Sequence, residues 1–364
     1  MNKPRNSPEK MLLIDGSHAL FRAFHAIRNM RGPDGRPTNA VFGWTSMLLK
    51  LIADHKPDYV AACFDASARG FRAEIDPNYK ANRAPTPPEL HEQWPTALRV
   101  TQELGVTMLE DDRLEADDLI ATLATNARKQ GINVLVSSGD KDLMALVHDG
   151  GDGSGWVRQL EEKRGQTITY DVAGVVERWG VLPDQIDDML AIMGDAVDNV
   201  PGVKGIGKKG AVALLQTWGS FDAIYDNLDE VVTPRTQKLL REAEPQARLA
   251  KRLVELVCDA DLPVTLDDLR VDDPDREALT ASFRTLGFKR LMREYFADNE
   301  QVVIAVTRVT AVKELVDVAA ALRKDGKIGL DAITTERDDE RQRPMRGRLL
   351  GVAVSGATAG SFYK

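Results

Sequence analysis

Cysteine is nearly absent from this 364-residue chain: only Cys63 and Cys258 occur. They lie far apart without ligand spacing. That excludes a disulfide framework or a thiolate metal site and reads as small buried groups in a reducing compartment. The five histidines (His18, His25, His55, His91 and His148) contain no H-x-x-x-H pair, so the common zinc arrangement is missing. No apolar run approaches the ~20 residues that span a bilayer. Met1 to Lys10 is polar with two prolines, unlike a secretory leader. A soluble cytoplasmic protein with no membrane partner is therefore expected. Positive charge is not in excess either: 48 Lys and Arg stand against 56 Asp and Glu, a formal charge of −8. This excludes a uniformly basic nucleic-acid coat and leaves only local positive patches. No internal repeat is visible.

What the chain does have is acid placed after, or beside, apolar runs. Asp15 ends Met11-Leu12-Leu13-Ile14-Asp15, and Asp65 ends Val60-Ala61-Ala62-Cys63-Phe64-Asp65. Glu115, Asp117 and Asp118 open Glu115-Ala116-Asp117-Asp118-Leu119-Ile120. Asp140 and Asp142 follow Val134-Leu135-Val136, and Asp195 and Asp198 lie in Gly194-Asp195-Ala196-Val197-Asp198-Asn199. A parallel sheet opens its crevice at the carboxyl ends of its strands. If these segments share one sheet, nine carboxylates meet on one rim, and so many anions require cations. All-oxygen ligands select Mg²⁺ or Mn²⁺, and a carboxylate pocket holding two such ions suits phosphodiester hydrolysis. Each acid also has a plain reading. Asp15 could satisfy a turn amide, Asp117 and Asp118 suit the first turn of any helix, and Asp140 could be a cap.

Apolar runs alternate with helical patterns from residue 11 to about 180, the sign of βαβ units. Met11–Ile14, Tyr59–Phe64 and Asn133–Val136 read as strands, and Ser17–Arg28 and Ala40–Ala53 as helices. Ala116, Leu119, Ile120, Leu123 and Ala124 bury one helix face. From Pro183 the pattern is helical, with candidates at Asp184–Met193, Lys208–Trp218, Thr233–Cys258 and Asp275–Ala297. The organisation expected is a disordered start (1–10), an α/β domain (11–180), a helical domain (181–297) and a short α/β tail (301–364). In the tail, Val302–Val306, Ile328–Asp331 and Leu349–Ser355 read as strands and Val312–Arg323 as a helix, too little to close a sheet alone.

Two segments carry local positive charge. Residues 69–83 combine Arg69, Arg72, Lys80 and Arg83 with Phe71 and Tyr79. Cations there can bind phosphates and the aromatics can stack on bases, although composition alone favours a solvated loop with buried aromatic anchors. Pro201-Gly202-Val203-Lys204-Gly205-Ile206-Gly207-Lys208-Lys209 precedes an apolar helix, so its backbone amides could approach phosphates. A plain helix-turn-helix bend is the alternative. A nucleotide P-loop fails at Lys209, where Ser or Thr is needed, and no strand leads into it.

These motifs, in this order, resemble the 5′-nuclease (flap endonuclease-like) domain of bacterial DNA polymerase I over residues 10 to 297. The resemblance implies a PIN-like parallel sheet flanked by helices, with a helical helix–three-turn–helix domain. It implies a structure-specific 5′-3′ exonuclease or flap endonuclease that hydrolyses DNA with two metal ions in replication and repair. The implied metal ligands are Asp15, Asp65, Glu115, Asp117, Asp118, Asp140, Asp142, Asp195 and Asp198. Lys80 and Arg83, assisted by Arg22, would act at the scissile phosphate. DNA contacts would come from Arg72, Tyr79, Lys80, Arg83, Gly202, Lys204, Gly205, Gly207, Lys208 and Lys209, and K⁺ would sit at the glycine hairpin. DNA with 5′ flaps, nicks or 5′ ends, RNA primer–DNA hybrids and a separate DNA polymerase are the implied partners, near the nucleoid. Two departures are visible: Ala196-Val197 stands where Ser-Ser is usual, and Ala73 where His is common. The tail resembles the opening of a proofreading exonuclease. Ile333 replaces the acid that its first motif needs, so a non-catalytic remnant is expected, with Asp331 as a turn residue and no polymerase activity. The rival readings are a flap-binding protein that does not cut, and an RNase or nucleotide hydrolase. The first predicts gaps in the acidic set, and a mononucleotide would need neither basic segment.

Overall fold

The computed structural model describes residues 8–66, 70–151, 153–163, 165–231 and 233–296, and the backbone of four strands between 307 and 363. The expected disorder of residues 1–7, Arg69, the strand at 302–306 and the helix at 312–323 lie outside the described residues. Lys10 itself is already in a strand, so the ordered chain starts earlier than expected. The chain divides into two compact units, residues 1–289 and 290–364.

In the first unit six strands form one sheet in the order β3-β2-β1-β4-β5-β6. They are β1 (Lys10–Asp15), β2 (Tyr59–Asp65), β3 (Thr107–Asp111), β4 (Asn133–Ser137), β5 (Val157–Lys163) and β6 (Gln166–Tyr170). The first five run parallel, and β6 returns antiparallel on β5. The central strands are apolar on both faces because helices cover both. Met11, Leu13, Ala61, Cys63, Val134 and Val136 lie under α5 (Ala116–Lys129). On the opposite face Phe64 meets Trp44 of α2 (Asn39–His55) and Trp94 of α4 (Pro88–Glu103) edge-on. Helices α1 (Gly16–Ala26) and α3 (Phe71–Ile75) complete this half.

Helices α6 (Val172–Trp179), α7 (Ile186–Met193), α8 (Lys208–Trp218), α9 (Phe221–Asp226) and α10 (Pro234–Val254) follow. Leu190, Leu215, Phe221, Leu240 and Leu253 share their core. The long helix expected over 275–297 is two, α11 (Arg276–Leu286) and α12 (Lys289–Phe296). Gly287 at φ +74° adopts the left-handed conformation that ends the first. Cys63 is buried as expected, whereas Cys258 is only half-buried.

In the tail, β7 (Thr307–Val309), β8 (Gly329–Thr334), β9 (Leu349–Ser355) and β10 (Gly360–Tyr363) make a four-stranded sheet ordered β7-β10-β9-β8. This corrects the expectation that the tail could form no sheet of its own. Asp331 pairs with Ala353 inside β8 and is not a turn residue.

One buried ion pair ties the sheet to the helical half. Arg72 on α3 grips Asp118 with two nitrogens, at 2.5 and 2.8 Å, and both side chains are almost fully buried. Its other hydrogens go to Leu253 O (2.8 Å) and Glu255 O (2.7 Å) at the end of α10 and to Glu115 Oε2 (3.3 Å). Asp118 also accepts from the amides of Val257 and Glu115. Two expectations are corrected here. Asp118 is a structural anchor whose oxygens are spent on Arg72 and two amides, and Arg72 is turned into the core, not toward DNA. Breaking a buried pair from one side strands a charge, which costs about 3–5 kcal/mol. Asp118→Asn is therefore expected to lower unfolding free energy by about that much in urea titration, and a loss under about 1 kcal/mol would show that the clamp is not structural.

Candidate active site

The sheet delivers its acids to one edge. Asp15 is the last residue of β1 and caps α1, accepting from the His18 amide at 3.0 Å, while its other oxygen accepts from Ser138 Oγ at 2.8 Å. Asp65 ends the neighbouring β2 and accepts from the Ala116 amide at 2.9 Å. Asp117 lies in the first turn of α5, and Asp140 follows β4, where its Oδ1 accepts from the Asp142 amide at 3.0 Å. Asp15, Asp65, Asp117 and Asp140 line one open cleft of about 600 Å³, together with Lys80, Arg83, Lys141, Arg178 and Trp179.

Beside them Asp142, Asp195 and Asp198 are buried and offer oxygens within 4.8 Å of one another; among the described residues this group contains no histidine or cysteine. Asp142 starts a 3-10 turn, Asp142–Leu146, and the other two lie in the loop between α7 and α8. Gly202 presses that loop into place. A Cβ there would meet the backbone of Met193 and Gly194 at 2.3 Å, so this glycine serves close packing rather than approach to a phosphate. The Ala196-Val197 departure is open to solvent at Val197, which is 65% exposed and lines the cleft.

The crowding leaves an electrostatic signature. Burial, with Asp65 adding to it, raises the Asp15 carboxyl to about 6 against the opposing pull of His18. Burial and the neighbouring Asp140 raise Asp142 to about 8 and push Asp117 well above the usual carboxylate range. These shifts are the cost of like charges meeting in a poorly solvated place.

Segment 76–83 lies folded against this cluster. Lys80 takes the left-handed conformation (φ +55°), held by its own amide on Asp198 O at 2.9 Å. That aims its ammonium group at Glu115 (2.8 Å) and Asp198 (3.7 Å). Burial works against its charge, but Glu115 and Asp198 outweigh it and hold Lys80 above the ordinary lysine value. Arg83 meets Asp198 at 2.5 Å. The Tyr79 hydroxyl donates to Glu115 at 3.0 Å, so its polar tip faces the acids. Asn82 and Asn199 stitch the segment to the loop through Ala196 O and Asn78 O.

Arg22 is not in the cleft; it donates to Glu162 O at 3.2 Å and lies beside Met47. Lys204, Gly205 and Gly207 are exposed on the hairpin before α8, and Lys208 and Lys209 are exposed in its first turn. Lys208 also sits 4.1 Å over the Trp179 ring. Three participants carried no assigned role in the sequence reading: Lys141, 2.7 Å from Asp195, and the cleft-lining Arg178 and Trp179. Lys141 lies between Asp140 and Asp142, and its charge between two acids is the signal the sequence offers.

Comparison with known proteins agrees with this arrangement. Residues 10–180 match the 5′-3′ exonuclease N-terminal resolvase-like domain, and residues 181–277 match the 5′-3′ exonuclease C-terminal SAM fold. DNA polymerase I of Bacillus caldotenax is 38% identical over 288 residues, 79% of this chain and 32% of that protein. DNA polymerase I of Mycobacterium leprae is 36% identical over 350 residues, 95% of this chain and 36% of that protein. The chain thus spans about a third of the length of the curated relatives it matches. Among solved structures, a bacteriophage T5 flap endonuclease in complex with DNA and metal ions shares the fold at a TM-score of 0.55 and 20% identity, covering 80% of this chain and 97% of that one. With both domains matched in sequence and the acids gathered at the sheet's carboxyl edge, the chain belongs to the 5′-3′ exonuclease family.

Proposed function

We propose that this chain is a divalent-metal-dependent, structure-specific 5′ nuclease that cuts DNA at 5′ ends, nicks and flaps, including RNA primer–DNA hybrids. The observation that carries the reading is the meeting of Asp15, Asp65, Asp117 and Asp140 in one cleft beside the buried trio Asp142, Asp195 and Asp198. The donor set fits hard cations. It is all carboxylate, and Asp142 Oδ1 is buried without a hydrogen bond. The T5 relative holds metal ions and DNA, which supports the same assignment here. Magnesium or manganese would be held by these acids, with Glu115 alongside, and would supply charge to the phosphate and a more acidic water.

The chain's own side chains do the rest. Lys80 and Arg83 stand at the cleft on a segment fixed to the acid loop, placed to meet the scissile phosphate and offset its growing charge. Lys204 on the hairpin and Lys208 and Lys209 in the first turn of α8, all exposed, would hold duplex backbone without reading sequence. Potassium at the hairpin carbonyls belongs to the same proposal, as does a partner DNA polymerase. Asp15, Asp142 and Asp117 have no assigned proton transfer; they serve as ligands.

Cleavage of a labelled 5′-flap duplex with and without Mg²⁺ tests this. Lys80→Ala is expected to lower kcat about 100-fold with KM changed little, the mark of a contact made mainly in the transition state. Lys209→Ala is expected to raise KM and leave kcat alone. Metal-independent cleavage, or full activity in Lys80→Ala, would defeat the proposal, and tight flap binding without cleavage would favour the non-cutting alternative.

Stability should respond to pH and metal together. Asp15 and Asp142 have folded-state values above the ordinary carboxylate value of 3.8, so their contribution is complete below that value and is lost as pH rises through about 6 and about 8. The melting temperature of chelated protein should fall between pH 4 and 8. Saturating Mg²⁺ should flatten the slope and release protons on binding. A chelated protein whose melting temperature rises steadily across that range would contradict the crowding.

A further inference from the structure

Lys141 lies between Asp140 and Asp142, and the reaction above gives it no task. Its Nζ is 2.7 Å from Asp195 Oδ2 and 3.3 Å from Asp142 Oδ1. It therefore stands on two members of the buried trio, while Arg83 and Lys80 stand on the third, Asp198. The cations differ in origin. Lys80 and Arg83 belong to a segment that a bound strand could reorganise. Lys141 is covalently next to Asp142, so its charge is always at hand. The cleft acids are different: among the described residues no lysine or arginine ion pair reaches Asp15, Asp65, Asp117 or Asp140, whereas such pairs reach all three acids of the trio.

A divalent cation at the trio needs the oxygens that Lys141 already contacts. Two cations cannot share them, because at such separations their repulsion is poorly screened where the acids are buried. We propose that Lys141 is a built-in competitor for the divalent ion at the Asp142–Asp195–Asp198 trio, offsetting part of its charge without metal and setting the concentration at which that half of the site fills. The lysine side chain is 20% exposed and lines the cleft. Filling is thereby ordered: the cleft acids, which no lysine or arginine ion pair reaches among the described residues, take an ion first, and the trio takes one only when Lys141 swings out. The displaced ammonium group then faces the cleft, where it adds positive charge on the side a phosphate would approach.

This inference rests on the metal-dependent reading above, and its test separates the two. The full chain, stripped with chelator, is titrated with Mn²⁺ by calorimetry, with bound and free ion counted by electron paramagnetic resonance. Wild type should show a tighter and a weaker step. Lys141→Met should tighten the weaker step about fivefold and leave the other within about twofold, as loss of one partly screened ion pair predicts. Lys141→Arg should keep the weaker step weak. Equal tightening of both steps would mean a general charge effect and overturn the proposal, as would an unchanged or weakened second step. Wild type that binds no Mn²⁺ would overturn the metal reading as well. Thermal denaturation gives an independent readout. Without divalent ions Lys141→Met should melt below wild type, and saturating Mn²⁺ should erase the gap. If Lys141→Met does not fold in chelator, Lys141→Gln is titrated from the metal-loaded state by back-extraction with chelator, and a second ion lost at the wild-type chelator concentration overturns the proposal.

Discussion

The structure turns on one problem, the burial of negative charge. Asp118, Asp142, Asp195 and Asp198 are all buried, and Asp15 joins them at the end of the central strand. Carboxylates in such places are tolerable only if each finds a positive partner or stays protonated. The fold uses both devices. Arg72, Lys80, Arg83 and Lys141 each reach at least one acid within 3 Å, while Asp15 and Asp142 hold their protons to higher pH than usual. An anchor differs from a candidate ligand in how completely its oxygens are saturated. Asp118 is saturated by a bidentate guanidinium and two amides and has nothing left for a metal. Asp142 keeps a buried oxygen without a hydrogen bond, whose charged neighbour is the Lys141 ammonium group at 3.3 Å.

The same ion pairs make one body from pieces that are remote in sequence. Arg72 joins α3 to α5 and to the end of α10, and Asn82 and Asn199 join segment 76–83 to the loop after α7. The proposed ligand set is assembled across this joint. Asp15, Asp65, Asp117, Asp140 and Asp142 belong to the α/β half, whereas Asp195 and Asp198 belong to the helical half. A shift of one half against the other would change the separation of the two carboxylate groups before it broke any strand. Buried pairs with defined geometry resist such shifts even where their net contribution to stability is small.

Much of this was legible in the sequence because it follows from periodicity. Two-sided apolar runs marked β1, β2 and β4, and each acid's place after its run marked the edge where the cleft opens. Helix α8 falls on Lys208–Trp218 as its apolar spacing predicts. What escaped was set by tertiary partners. Strand β3 is half-buried and mixed in polarity, so it shows no apolar run. Asp117 and Asp118 are adjacent in sequence, yet a helix turns successive side chains about 100° apart, sending one to the cleft and one to Arg72. Nothing local distinguishes them, because the deciding partner lies 46 residues away. The glycine hairpin leaves phosphate contact and a plain bend both open in sequence, and the backbone packing of Gly202 on Met193 and Gly194 shows that one of its glycines is structural.

The plain and the chemical readings of these acids are not exclusive. Asp15 caps α1 with one oxygen and accepts from Ser138 with the other, so a helix start fixes the rotamer of a cleft acid. Asp140 likewise orders the turn that carries Asp142. A carboxylate with one oxygen locked by backbone amides gains direction for the other at no further loss of side-chain entropy, which is what a site for a hard cation requires. The cations obey a parallel logic. Lys80 spends an unfavourable backbone conformation to face Glu115, and the Arg83 and Lys141 side chains are more exposed than the acids they neutralise. On the proposed metal-dependent reading, cations in this position would exchange their acids for a phosphate as metal takes over the carboxylates. The ion pairs of the free protein and the contacts of the loaded one would then use the same groups.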